Sequence, residues 1–217
     1  MGEELKRHKQ GGWSAAGYQR HEDNLALHNL KHGVDLIQQF SERTGNRRLI
    51  LGGSPEVLSQ IKDLMPKSLQ DQITGEFVVD VMASPTEILE LSLDVFQEIK
   101  LAEEQNLVTE AITEASKGGT GVTGLNDTLY ALFQGQVWRL LVDENYDVEG
   151  FVCTNCGFVL TEHPDMCPLC QNTAFEEAQD VVNIAIRKAA ETGSEVNIIR
   201  ENEELTRAGG IAAITRY

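Results

Sequence analysis

Gly121-Val122-Thr123-Gly124-Leu125-Asn126-Asp127-Thr128-Leu129 closes a glycine cluster that begins at Gly118 and Gly119, and the segments downstream of it set the architecture. Residues 125–134 keep their apolar side chains at helical spacing, and residues 137–142 form a short apolar run of strand type. Farther on, residues 181–192 read as helix, 195–199 as extended, 201–208 as helix and 211–216 as extended. Helix and strand alternate, which predicts a layered α/β domain.

Upstream of the cluster the chain repeats this alternation more sparsely. Ser14 is a candidate N-cap for a helix running to about Thr44, where Gly45 and Asn46 supply stop signals. Leu30, Val34, Ile37 and Phe40 recur on one face of that helix and predict packing against a neighbour. Arg48-Leu49-Ile50-Leu51 reads as a short buried strand. Gly52-Gly53-Ser54-Pro55 then turns into a second helix, with Ser54 as cap and Pro55 at its first position. Residues 75–82 read as a second strand and 85–116 as a long helix. A domain boundary is expected within residues 84–105, giving domains at 1–84 and 85–217.

A compact insert at residues 150–175 carries all four cysteines of the chain. Cys153-Thr-Asn-Cys156 and Cys167-Pro-Leu-Cys170 are two CxxC turns, and each turn can aim two thiolates at one ion. Four thiolates make a closed tetrahedral shell, so a structural Zn2+ is expected in a zinc-ribbon-like minidomain, with no open position for catalysis. A redox pair or an iron centre would use the same residues. His163 lies in the insert as a spare ligand. The four sulfurs make it unnecessary.

The net charge is −16 over 217 residues and is unevenly spread. Residues 1–50 hold eight Lys/Arg against six Asp/Glu; the remainder holds ten against 28. The acidic remainder repels phosphate, so RNA contacts are sought at Lys6, Arg7, Lys9 and Arg20. His21, His28 and His32 share a helical face and read as a solvated or RNA-facing stripe, while Trp138 reads as core. No run of about 18 apolar residues predicts a membrane helix, and no apolar signal core opens the chain, so a cytoplasmic location is expected. Walker, Rossmann and Ser-His-Asp patterns are absent, and no nucleotide cofactor is expected.

Lys9-Gln10-Gly11-Gly12-Trp13-Ser14, a long helix with His and Arg, Leu49-Ile50-Leu51-Gly52-Gly53-Ser54-Pro55, the block from Gly121 to Leu129, and Ala208-Gly209-Gly210-Ile211-Ala212-Ala213-Ile214-Thr215-Arg216-Tyr217 stand in one order. That order resembles the central and C-terminal domains of archaeal and eukaryotic class 1 peptide chain release factors. The resemblance implies a fragment of an RNase H-like central domain followed by an α/β/α sandwich akin to kink-turn-binding ribosomal proteins. It also implies that Gly11, Gly12 and Trp13 occupy the loop that promotes hydrolysis of the peptidyl-tRNA ester in the ribosomal A site. In the family that loop reads Gly-Gly-Gln. Trp13 keeps the backbone N–H but loses the side-chain amide that would hold the attacking water.

The resemblance implies two alternative functions. One is a ribosome-associated termination or rescue factor acting on peptidyl-tRNA. The other is a binding protein without release activity, docking a translational GTPase or recycling factor through its acidic C-terminal domain. A zinc-stabilised RNA-binding protein unrelated to the ribosome is a third. The family's codon-reading domain and first central strands have no counterpart in residues 1–217, so a fragment of a longer protein is expected.

Overall fold

The computed structural model describes residues 13–217. Contacts divide the chain into two compact units at Lys100 and Leu101.

The first unit begins with helix α1 (Trp13–Thr44), one residue ahead of the expected Ser14 cap. Gly45 ends it with a left-handed φ of 67°, its N–H bonding the Ser41 carbonyl at 2.9 Å. Strand β1 (Leu49–Gly53) comes next, then α2 (Pro55–Leu64), whose Ser54 cap accepts from the Val57 N–H at 3.4 Å. A short α3 (Lys67–Gln70) leads into β2 (Ile73–Val78), which pairs parallel with β1. Val34, Leu51, Leu58, Met65 and Leu69 form the core on the α1/α2 side of this pair. On the other side Gly75 lies so close to Val95 and Ile99 of α4 (Pro85–Ser116) that any side chain there would displace them. Glycine is therefore what lets α4 approach β2. Phe40 departs from its expected packing: it is half exposed, with the Arg43 guanidinium 5.7 Å from its ring. The buried stripe of α1 is thus narrower than the apolar spacing suggests and centres on Val34.

The second unit is built on four strands in the order β3-β9-β4-β8: β3 (Gly121–Thr123), β4 (Val137–Asp143), β8 (Glu195–Ile199) and β9 (Ile211–Thr215). β9 runs antiparallel to both β3 and β4, while β4 and β8 are parallel. Adjacent residues Leu140 and Leu141 are both fully buried because they point to opposite faces. Leu140, Val142, Ile211 and Ala213 meet α5 (Leu125–Phe133) and α6 (Val181–Glu191) on one side. Leu141, Ala212, Ile214 and Ile199 meet Val108 and Ala111 of α4 and Leu205 of α7 (Glu203–Arg207) on the other. Burial on both faces explains the apolar runs 140–142 of β4 and 211–214 of β9. Two caps fix the flanking helices: Asp180 accepts from the Asn183 N–H at 2.9 Å, and Asn202 from the Leu205 N–H at 2.9 Å.

Trp138 is not core. The β4–β9 register shifts between Val137 and Arg139, leaving Trp138 as the extra residue of a bulge, 47% exposed. The Arg139 guanidinium lies 4.6 Å from its ring and bonds Glu195 through Nε and Nη2 at 3.0 and 2.8 Å. These bonds hold the Glu195 carboxyl below the ordinary carboxylate range, against a smaller opposing effect of partial burial. A lowered folded-state pKa adds stability that is complete above the unfolded value of about 4.3 and lost as pH falls through the folded one. Because Glu195 is half exposed, the contribution is expected to stay under about 1 kcal/mol. Glu195→Gln should accordingly lower stability near pH 7 by under about 1 kcal/mol and leave the acid end nearly unchanged, so that urea melts between pH 3 and 7 give a flatter profile.

Among the described residues no helix is long and apolar enough to cross a membrane.

Candidate functional site

The cysteine insert grows out of the second unit between β4 and α6. Strands β5 (Gly150–Cys153), β6 (Val159–Leu160) and β7 (Phe175–Ala178) make a small antiparallel sheet in the order β6-β5-β7. Val159 belongs to the main core, and Val152 and Ala178 pack against it, so this sheet is anchored at its base. Phe158 stands edge-on to Tyr130 and Phe133 of α5, at centroid distances of 6.4 and 5.2 Å. At the far end Cys153, Phe158 and Cys167 form a separate small cluster with Cys156, Cys170, Leu160 and Phe175 around it.

The two CxxC turns share one backbone design. In the first, the Gly157 N–H bonds the Cys153 carbonyl at 2.9 Å and Gly157 has a φ of 73°. In the second, the Gln171 N–H bonds the Cys167 carbonyl at 3.0 Å and Gln171 has a φ of 62°. A left-handed residue after the second cysteine curls each turn so that both sulfurs face inward. Glycine takes that conformation freely, whereas Gln171 holds it at some cost, which marks the second turn as constrained by its surroundings.

All four Sγ atoms lie within 4.8 Å of one another, with Cys153–Cys170 at 3.5 Å and Cys156–Cys167 at 3.7 Å. Four thiolates bonded to one zinc at about 2.3 Å would have neighbouring sulfurs about 3.8 Å apart. The donor set therefore fits a tetrahedral metal ion, and none of the four is in a disulfide. The four thiols are not electrostatically equal. Burial pushes Cys153 up, but the N–H groups of Cys156 and Asn155, the Asn172 amide and the Cys170 thiol together outweigh it and bring the group to about 6. Cys170 is also lowered, first by the Asn155 side chain and then by the Asn172 N–H. Burial drives Cys156 up to about 12, against a bond from the Phe158 N–H. His163 is no ligand here: its ring sits edge-on to Phe151 and Phe175, at 4.9 and 5.4 Å.

Of the residues expected to act near the amino-terminal loop, only some are among the described residues. Gly11, Gly12, Lys6, Arg7 and Lys9 lie outside the described residues, and Trp13 is the first residue of α1. Arg20, His21, His28 and His32 are exposed on α1. Sequence reading did not find a wide crevice of about 910 Å3 at the carboxyl ends of β4 and β8, lined by Asp143, Tyr146, Glu201, Glu203, Arg207 and Gly210. The signal available was the pairing of Gly209 and Gly210 ahead of β9, both with positive φ. Tyr146 lies where any side chain at residue 210 would go. With three carboxylates in its wall, the crevice is unsuited to a phosphate backbone.

Residues 1–97 match the family described as Bacterial archaeo-eukaryotic release factor family 10. Over 242 aligned residues the chain is 27% identical to peptide chain release factor subunit 1 of Methanobrevibacter smithii, covering 97% of this chain and 57% of that protein. The chain is thus similar to the archaeal and eukaryotic release factors along nearly its whole length. A second relative, eukaryotic peptide chain release factor subunit 1-3 of Arabidopsis thaliana, is 28% identical over 172 residues, covering 73% of this chain and 39% of its own length. Among solved structures, one described as a model of ribosome-bound archaeal Pelota and ABCE1 aligns with a TM-score of 0.52 at 18% identity, covering 90% of this chain and 50% of that one. That likeness bears on the fold alone. The release-factor-like chain thus spans roughly half the length of the relatives it matches.

Proposed function

We propose that this chain is the catalytic-loop and C-terminal portion of a ribosome-associated termination or rescue factor that acts on peptidyl-tRNA in the A site. The observation that carries the reading is the alignment with a release factor subunit along 97% of the chain. In this reading residues 1–84 belong to an RNase H-like central domain and residues 85–217 form the C-terminal domain, of the kink-turn-binding ribosomal-protein type. Residues 150–175 are its zinc-ribbon-like insert. Lys6, Arg7, Lys9 and Arg20 contact ribosomal RNA, and Gly11, Gly12 and Trp13 face the ester. Zn2+ held by Cys153, Cys156, Cys167 and Cys170 serves structure only, because four thiolates leave no coordination position for water or substrate. The acidic second unit faces a protein partner, a translational GTPase or recycling factor. The setting is the cytoplasm.

Trp13 favours a second reading in which the factor binds the ribosome without releasing peptide. The backbone N–H at position 13 still suits a developing oxyanion, but an indole offers a single donor and fills the volume of a water. Trp13→Gln separates the two. The expected result is that the wild-type chain pellets with ribosomes and cleaves peptidyl-tRNA slowly, and that the substitution raises single-turnover cleavage about 100-fold or more, the scale of one oxyanion-site donor. Ribosome binding with no cleavage by either protein would establish the binding-only reading. Failure to co-sediment with ribosomes would overturn both.

A further inference from the structure

Two of the seven Lys and Arg side chains in residues 101–217 stand without a partner among the described residues. Lys117, Arg139, Arg200 and Arg207 are held in ion pairs with glutamates, and Arg216 donates to the Gly135 and Thr192 carbonyls at 3.1 and 3.2 Å. The remaining two, Arg187 and Lys188, are adjacent and exposed near the end of α6. Glu191 follows them by one turn and bonds neither. Lys188 also lines a pocket of about 110 Å3 where α5, α6, β6 and the first CxxC turn meet. Buried Leu132, Val159 and Ala185 make its floor, and exposed Phe133, Gly157 and Lys188 its rim. We infer that this pocket and the cations beside it are a docking site for a segment of a partner protein that carries one bulky apolar side chain flanked by carboxylates.

Shape and charge select that occupant together. The pocket has room for a single side chain of leucine or phenylalanine size, which is how an interface anchor is held. Tyr130 and Phe133 both stand edge-on to Phe158 and both stay exposed, so apolar surface continues past the rim for the rest of the segment. Residues 101–217 carry nineteen Asp and Glu, and still these two cations are left unmatched. A carboxylate arriving there makes a charge-assisted bond with no internal ion pair to break. RNA would reach the same cations but would bring one charge per nucleotide toward the nineteen carboxylates, whereas a peptide brings one or two. A base on the apolar floor would also leave its polar edge unpaired. The pocket shares no residue with the crevice at the carboxyl ends of β4 and β8, and it is independent of the amino-terminal loop and of the ribosomal reading.

Amide nitrogen–proton spectra of the full chain, recorded at about 0.15 M salt so that charges farther than about 8 Å are screened, test the site. The probe is the peptide acetyl-Ser-Glu-Phe-Glu-Ser-amide. It is expected to shift the amide signals of Phe133, Gly157 and Lys188 saturably, with a dissociation constant on the order of 1 mM, the range of a single anchor. The same peptide with serine in place of phenylalanine, and the one with lysine in place of both glutamates, should each bind about tenfold more weakly or worse. Lys188→Glu alters an exposed side chain and should reverse the preference between the acidic and basic peptides, an effect that loss of structure cannot produce. Ala185→Leu fills the floor and should abolish binding of all three; if it perturbs the fold, Lys188→Glu still decides. Absence of saturable shifts at those three amides in wild type would overturn the site. So would equal binding of the three peptides, or an unchanged preference in Lys188→Glu. Hexauridylate that moves the same signals and displaces the peptide would overturn it in favour of an RNA contact.

Discussion

Removing the proposed ion with a thiolate-competing chelator is expected to collapse hydrogen-exchange protection at residues 153–157 and 161–174 while the β3-β9-β4-β8 sheet keeps its own. The insert's outer cluster contains three large apolar side chains, Phe158, Leu160 and Phe175, around four cysteines. Burial of so few groups cannot order two tight turns, one of them with a strained Gln171, so the binding energy of an ion held by the four thiolates would be the folding energy of that end. The base behaves differently, because Val159 sits in the main core and Val152 and Ala178 pack on it. Protection at Gly150, Val152 and Ala178 should therefore outlast protection at Cys153 and Cys167. Cys167→Ser should reproduce the pattern without chelator. Uniform loss of protection through both sheets would mean that the insert and the main sheet unfold as one.

Gly121→Val should destabilise the second unit by about 3 kcal/mol or more, seen as a lower midpoint in urea with an unchanged slope. A Cβ at residue 121 would fall on the Ala111 carbonyl and the Ala115 backbone nitrogen of α4. These are backbone atoms of a packed helix, so no rotamer change relieves the clash. Either β3 leaves β9, or the end of α4 lifts from the sheet and exposes the cluster of Val108, Ala111 and Ile214. Gly118→Ala is the informative contrast. Nothing lies within 4 Å of its Cβ, and its penalty comes only from a φ of 67°, about 1 kcal/mol.

How much of this could be read from sequence depended on how local the determinants are. The Ser54-Pro55 helix start, the Gly45 stop and the two CxxC turns are set by residues within one turn of each other, and all were legible. Strand β2 was expected at 75–82 but begins at Ile73, because pairing with β1, not local composition, decides where it starts. β3 was hidden in a glycine cluster: three residues with one large apolar side chain carry no period, and only the β9 partner makes them a strand. Trp138 failed for a related reason. An aromatic in an apolar run reads as core, yet a single-residue slip against β9 turns it outward, and register is a property of two strands. The contact of Asn172 Nδ2 with the Cys153 sulfur was invisible because it joins two turns separated in sequence. In the loop at Gly11 and Gly12 the sequence remains the guide.

The strand order of the second unit has a consequence for how the protein is made. β9 lies between β3 and β4 and is the last of the four strands to be synthesised. Until residues 211–215 have emerged from the ribosome, β3 has no partner, β4 has only β8, and both apolar faces of the sheet remain open. The unit therefore folds late in a single closing step, and a nascent chain stalled anywhere before Ile211 presents its core to chaperones and proteases instead of to itself.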